Sequence, residues 1–132
     1  MRYIALVFLV LLTGCKNSKI ENAPKDHGFD VFFEKFASDS VFQKKHFDFP
    51  VIAYYSDVDL PFDLKEKSID EDSYFYTDFT KDKSIYDVSV ERKKDSVIYT
   101  RRLRDTYHLP LIYKFAYKNK RWMFVEFSDL TD

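Results

Sequence analysis

Phe29, Phe32, Phe33 and Phe36 fall at i, i+3, i+4 and i+7. That spacing puts four rings on one stripe of an α-helix. A helix with such a stripe cannot stand alone in water; it needs a broad apolar surface to lie on. Asp26 or Gly28 offers a start for it, and Asp30, Glu34 and Lys35 fall on its other side. The stripe is read as core rather than as a ligand groove, because a ring cluster at helical spacing is normally buried. A second short helix is expected to begin near Ser38-Asp39-Ser40. There Ser40 and Gln43 have capping-box spacing, and Val41 and Phe42 turn inward.

The C-terminal half supplies the surface. Tyr86, Val88 and Val90 alternate with Asp87, Ser89 and Glu91, the pattern of a half-buried strand. After a polar turn, residues 96–104 form the return strand, with Val97, Tyr99 and Leu103 on one face. Leu109 to Lys118 and Arg121 to Phe127 follow, joined at Asn119-Lys120, where Asn tolerates the positive φ of a tight hairpin. A two-residue loop predicts that Tyr117 faces Trp122, Phe115 faces Phe124, and Tyr113 faces Glu126. Phe47 to Tyr55 reads as a further strand. Between 56 and 84 the expectation is a loop or short helix around 62–71, then a strand at 74–79. Helices first and an antiparallel meander after them define an α+β domain. Its N-terminal helices would pack on a curved antiparallel β-sheet. The pattern resembles the cone-like folds of nuclear transport factor 2 (NTF2-like) or cystatin.

The rings are the main building material: the chain has 14 Phe, 10 Tyr and one Trp, but only two Gly and one Cys. Large rings bury much surface each, which suits a small domain without disulfides. The lone cysteine, Cys15, follows the apolar run Tyr3 to Leu12. As a helix that run would span about 15 Å, half of the ~30 Å hydrocarbon core of a bilayer. With Arg2 ahead of it, it reads as a secretory signal peptide. Leu12-Thr13-Gly14-Cys15 resembles the lipobox of bacterial lipoproteins. That resemblance implies lipidation of Cys15 and cleavage before it, which would also remove the only free thiol from an oxidising compartment. Two or three acyl chains anchor stably where one is marginal. Three regions are therefore expected: a lipoprotein signal peptide at 1–14, a lipidated Cys and flexible tether at 15–26, and a single α+β domain at 27–132.

Phe29-x-x-Phe32-Phe33-x-x-Phe36-x-x-Asp39-x-x-Phe42-Gln43, followed by Phe47-x-Phe49-Pro50, resembles a family of uncharacterised Bacteroides-type lipoproteins (DUF4348). Trp122 in the last hairpin is similar to a Trp of that family. The resemblance covers roughly residues 28–128. It implies an NTF2-like or similar α+β domain and no established activity, so no catalytic residue is carried over.

Few chemistries fit the remaining residues. His27, His46 and His108 are scattered, without metal-ligand spacing. Asp57-x-Asp59 and Asp70-Glu71-Asp72 lack the Gly and the terminal Glu of a calcium loop and read as a solvated acidic segment. With Gly28 the one glycine beyond the signal segment, there is no glycine-rich phosphate loop, and no cofactor is expected. A formal net charge of −1 gives no field favouring nucleic acid. The basic group from Arg92 to Arg104 reads as a surface hairpin. One constellation stands out: Tyr113, Trp122, Phe124 and Glu126 would line one sheet face. A carboxylate among rings could serve as an acid or base. The expectation is a lipid-anchored envelope protein, on the periplasmic side of the outer membrane. It would bind a small ligand or an envelope protein without catalysis. The alternatives are a small NTF2-like enzyme using an acidic residue in an aromatic pocket, or an inhibitor-like interaction protein with an exposed patch or sheet edge.

Overall fold

The computed structural model describes residues 26–131 except 58, 61, 62 and 108. The signal segment, Cys15 and the tether up to residue 25 lie outside the described residues, as does His108. Two helices, α1 (Phe29–Ser38) and α2 (Ser40–Lys45), come first. Strands β1 (Phe47–Ser56) and β2 (Leu64–Ile69) follow, then a 3-10 turn (Glu71–Ser73) and the short α3 (Asp82–Ile85). The chain ends in β3 (Tyr86–Arg92), β4 (Ser96–Leu103), β5 (Leu111–Lys118) and β6 (Arg121–Asp129).

All six strands form one sheet in the order β2-β1-β6-β5-β4-β3. The architecture is α+β, with short helices against a curved, unclosed sheet. Neighbours pair antiparallel except β1 and β6, which run parallel. The β1–β6 ladder breaks between Phe47 and Ile52. Pro50 stands in that interval, and it has no N–H to donate.

The α1 stripe lies on the concave face. Phe29 and Phe36 are buried, and Phe32 and Phe33 pack partly buried against the same cluster. Beneath them are Val51 and Ala53 from β1, Val97 and Tyr99 from β4, Tyr113 and Phe115 from β5, and Trp122, Phe124 and Phe127 from β6. Gly28 starts α1 at φ 70°, a conformation that glycine adopts without strain.

Three local expectations are corrected. Asp39 caps α2, its carboxylate accepting from the Val41 and Phe42 N–H groups at 2.9 Å each. Val41 points to solvent, 64% exposed. Gln43 is fully buried instead of closing a capping box. Residues 64–69 form an edge strand rather than a loop or helix, with only Ile69 buried. Residues 74–79 run without a strand partner, although Phe79 joins the core.

Gln43 explains how that partnerless run is held. Its Nε2 donates to the carbonyls of Phe36 and Thr77, at 2.8 Å each. Its Oε1 accepts from the Thr77 N–H at 3.0 Å and the Tyr74 hydroxyl at 3.1 Å. Tyr76 adds a hydroxyl bond to the Ala37 carbonyl at 3.2 Å. Side chains thus supply the hydrogen bonds that a ladder would otherwise provide.

Candidate functional site

The four sequence-predicted residues divide. Tyr113, Trp122 and Phe124 lie inward and are buried, at 6%, 2% and 3% exposure. Glu126 does not join them. The β5–β6 ladder starts in the expected register, Tyr117 opposite Trp122 and Phe115 opposite Phe124. It then shifts between Phe115 and Lys114, so that Lys114 faces Glu126 and Tyr113 faces Phe127. Val125 is the extra residue of a β-bulge. One added residue sends every later side chain of β6 to the opposite face. Phe127 takes the inner place, and Glu126 lies on the outer face with its carboxylate 3.9 Å from Lys114 Nζ.

The concave interior is filled. Among the described residues a gap of about 10 Å³ lies between Phe36, Gln43, Tyr113, Phe124 and Phe127. That is room for about one water molecule.

A polar network that the sequence reading missed crosses the core beside those rings. Arg101 of β4 is 8% exposed and Asp82 of α3 is 3% exposed. Arg101 Nη1 donates to Asp82 Oδ1 at 3.0 Å, and Nη2 donates to the Tyr113 hydroxyl at 2.6 Å. The Tyr99 hydroxyl donates to the other Asp82 oxygen at 2.8 Å. The guanidinium lies 4.8–5.0 Å from the ring centres of Phe79, Tyr86 and Tyr113, near enough for cation–π attraction. Burial pushes the Tyr99 and Tyr113 phenols above their ordinary range, so both stay protonated at neutral pH. Among the described residues Arg101 Nε alone is a buried side-chain polar atom without a partner. The signal was present: strict alternation from Val97 and Tyr99 puts residue 101 on the same inner face.

The charged pair of this network is nearly shut off from solvent, Asp82 at 3% and Arg101 at 8% exposure. Neither Arg101 nor Asp82 lines the gap or either of the grooves described next. The network ties β4, β5 and α3 together, with Tyr113 also bordering the small gap and Tyr99 the groove beside β3. Among the described residues no group of three or more His, Cys, Asp or Glu side chains could hold a metal ion.

Two grooves open outside the core. One, of about 390 Å³, runs between α1, α2 and the β5–β6 turn. Its buried or half-buried members are the rings of Phe32, Phe42, His46, Tyr117 and Trp122. Two ring pairs brace it: His27 stacks on Tyr117 at 3.8 Å, and His46 stacks on Phe42 at 4.0 Å. Lys35, Lys120 and Arg121 stand exposed in its lining; among the described residues no carboxylate lines it, though Asp95 Oδ1 lies 2.9 Å from Nε2 of the lining residue His27. None of these three cations forms a salt bridge among the described residues. The other groove, of about 480 Å³, lies between α1 and the edge strand β3. It mixes Asp30 and Glu34 with Lys83 and Arg92, and Arg92 is already engaged by Asp26 and Asp30 at 2.5 and 2.6 Å.

The helices on a curved, unclosed sheet define an NTF2-like fold. An NTF2-like protein from Bacteroides fragilis NCTC 9343 superposes on this chain with a TM-score of 0.61 at 21% identity. The match covers 85% of this chain and 50% of that protein, so the chain spans about half its length. At that identity the likeness concerns the fold. No family model matches the chain, DUF4348 included, and no curated protein matches it.

Proposed function

We propose that this chain is a binding module tethered to a bacterial cell envelope through lipid on Cys15. It holds a ligand or an envelope protein on its outer surface and carries out no chemistry in its interior. The observation that carries the binding reading is the filled cone. A gap of about 10 Å³ admits no substrate, whereas ligand sites of small molecules measure ~300–1,000 Å³. The outer grooves fall in that range. The enzyme alternative needed Glu126 among the rings, and the bulge at Val125 places Glu126 on the other face.

The tether reading rests on Leu12-Thr13-Gly14-Cys15 after a short apolar run. Among the described residues no helix is long and apolar enough to cross a membrane. The resemblance to the DUF4348 lipoproteins and a place on the periplasmic side of the outer membrane belong to the same proposal.

Mass spectrometry of the protein extracted from its native envelope tests it. The expected N-terminal peptide begins at Cys15 and carries acyl mass, and Cys15→Ser removes the protein from the membrane fraction. An unmodified thiol, or residues 1–14 still attached, overturns the tether.

A further inference from the structure

We propose that the groove between α1, α2 and the β5–β6 turn binds a small anion carrying a flat ring, such as an aromatic carboxylate or phosphate. The inference deepens the binding-module reading and rests on it.

Three observations carry it. The first is charge. Among the described residues Lys35, Lys120 and Arg121 line the groove without a carboxylate in its lining or an acidic partner of their own; the nearby Asp95 carboxylate is taken by His27 at 2.9 Å. The chain as a whole is slightly acidic, with a net charge of −1. A cationic concavity on such a protein concentrates anions.

The second is shape. Phe32, Phe42 and Tyr117, each half-buried, present ring surface within the same 390 Å³, above the buried Trp122. Rings favour offset stacking with another flat group. An anion alone would satisfy the cations and leave that surface wet.

The third is backbone geometry. Asn119 and Lys120 form the β5–β6 turn at φ 51° and 62°. A two-residue turn of this kind prefers Asn-Gly. Lys at the second position adopts a left-handed conformation that L-residues disfavour. His27 in the same groove also has a positive φ, of 51°. Strained non-glycine residues gather where function holds them. Here the strain sets a cation and an imidazole into the groove.

Trp122 is the chain's one tryptophan and lines the groove, so its emission reports occupancy. The test titrates the full chain with phenyl phosphate, with phenol and inorganic phosphate in parallel. Phenyl phosphate should shift Trp122 emission saturably and bind at least about tenfold tighter than either fragment. Lys120→Gly should raise the thermal midpoint, because glycine relieves the positive φ, yet weaken phenyl phosphate about fivefold. Lys35→Gln with Arg121→Gln should weaken it further, and Lys67→Gln on the distant edge strand should leave it unchanged. Equal binding by the groove variants, or phenyl phosphate no better than its fragments, overturns the proposal. Those outcomes leave the Cys15 tether standing, since lipidation is read separately by mass.

Discussion

Taking a guanidinium and a carboxylate out of water costs several kcal/mol per ion unless each finds its partners. Arg101 and Asp82 find theirs in each other and in the hydroxyls of Tyr113 and Tyr99. The two tyrosines are then bound to the network's protonation state. Burial is the largest cause of their raised pKa values, and the Asp82 charge adds to it at Tyr99. The sign follows directly. The unfolded chain releases these protons near pH 10, while the folded chain keeps them to higher pH. The stability they contribute is fully present below about pH 10 and is lost as pH rises past it, at up to ~1.4 kcal/mol per pH unit for each group. Urea unfolding midpoints should therefore hold level from pH 8 towards 10 and fall above it. Tyr99→Phe should reduce that alkaline slope. A profile that stays flat to pH 11 would contradict the burial of these phenols. Alternation along β4 puts Arg101 on the inner face, but its membership of the basic group from Arg92 to Arg104 makes it read as surface, which its burial corrects. Its partner was not legible, because Asp82 lies in a four-residue helix that carries no periodic signal of its own.

At the scale of elements, the strongly patterned pieces were readable and the weakly patterned ones were not. The Phe stripe locates α1, and alternation locates β3 and β4. The β5–β6 turn was readable from Asn119-Lys120. The bulge was not: Trp122, Met123, Phe124, Val125 and Phe127 are all apolar, so either register buries rings. Strand β2 carries Lys65, Glu66 and Lys67 in succession and shows no buried face except Ile69. Charge on an edge strand blunts it against further pairing, and it also hides the strand from a search for alternation. Residues 74–79 misled in the opposite way, since Tyr74-Phe75-Tyr76 has strand-like composition but its backbone is tied down by Gln43. Gln43→Leu tests that dependence. It leaves the Thr77 N–H and C=O without their side-chain partner, at about 1–3 kcal/mol for each buried group left unpaired. Hydrogen exchange at the Thr77 amide should accelerate well before global unfolding, while the β5–β6 amides remain protected. Unchanged protection at Thr77 would mean that Phe79 packing and the bonds of Tyr74, Tyr76 and the Phe79 N–H hold the segment without Gln43.

The whole molecule is one ring-packed body, and its cooperativity follows from where the rings meet. Phe115, fully buried on β5, one of the two central strands, lies 5.1–5.9 Å from the ring centres of Phe29, Phe32, Phe33, Phe36 and Phe124. It joins all four rings of the α1 stripe to β6, so neither the helices nor the sheet keeps a core without the other. The start of the described chain is tied into the same body, because Trp122 Nε1 donates to the Asp26 carbonyl at 3.1 Å. Phe→Ala at a site of this kind costs about 3–5 kcal/mol in lost burial and residual cavity. Against a typical domain stability of ~5–15 kcal/mol that is a large share. Phe115→Ala should lower the unfolding free energy by that amount, read as a lower urea midpoint at unchanged slope, and leave the transition single. Trp122 emission reports the end where the chain enters the fold, and far-ultraviolet circular dichroism reports the sheet and helices together. In both the parent and the variant the two curves should coincide, as all-or-none unfolding requires. A Trp122 transition that runs ahead of the dichroism would show that the groove and the chain start melt as a separate unit, and that Phe115 does not bind the molecule into one.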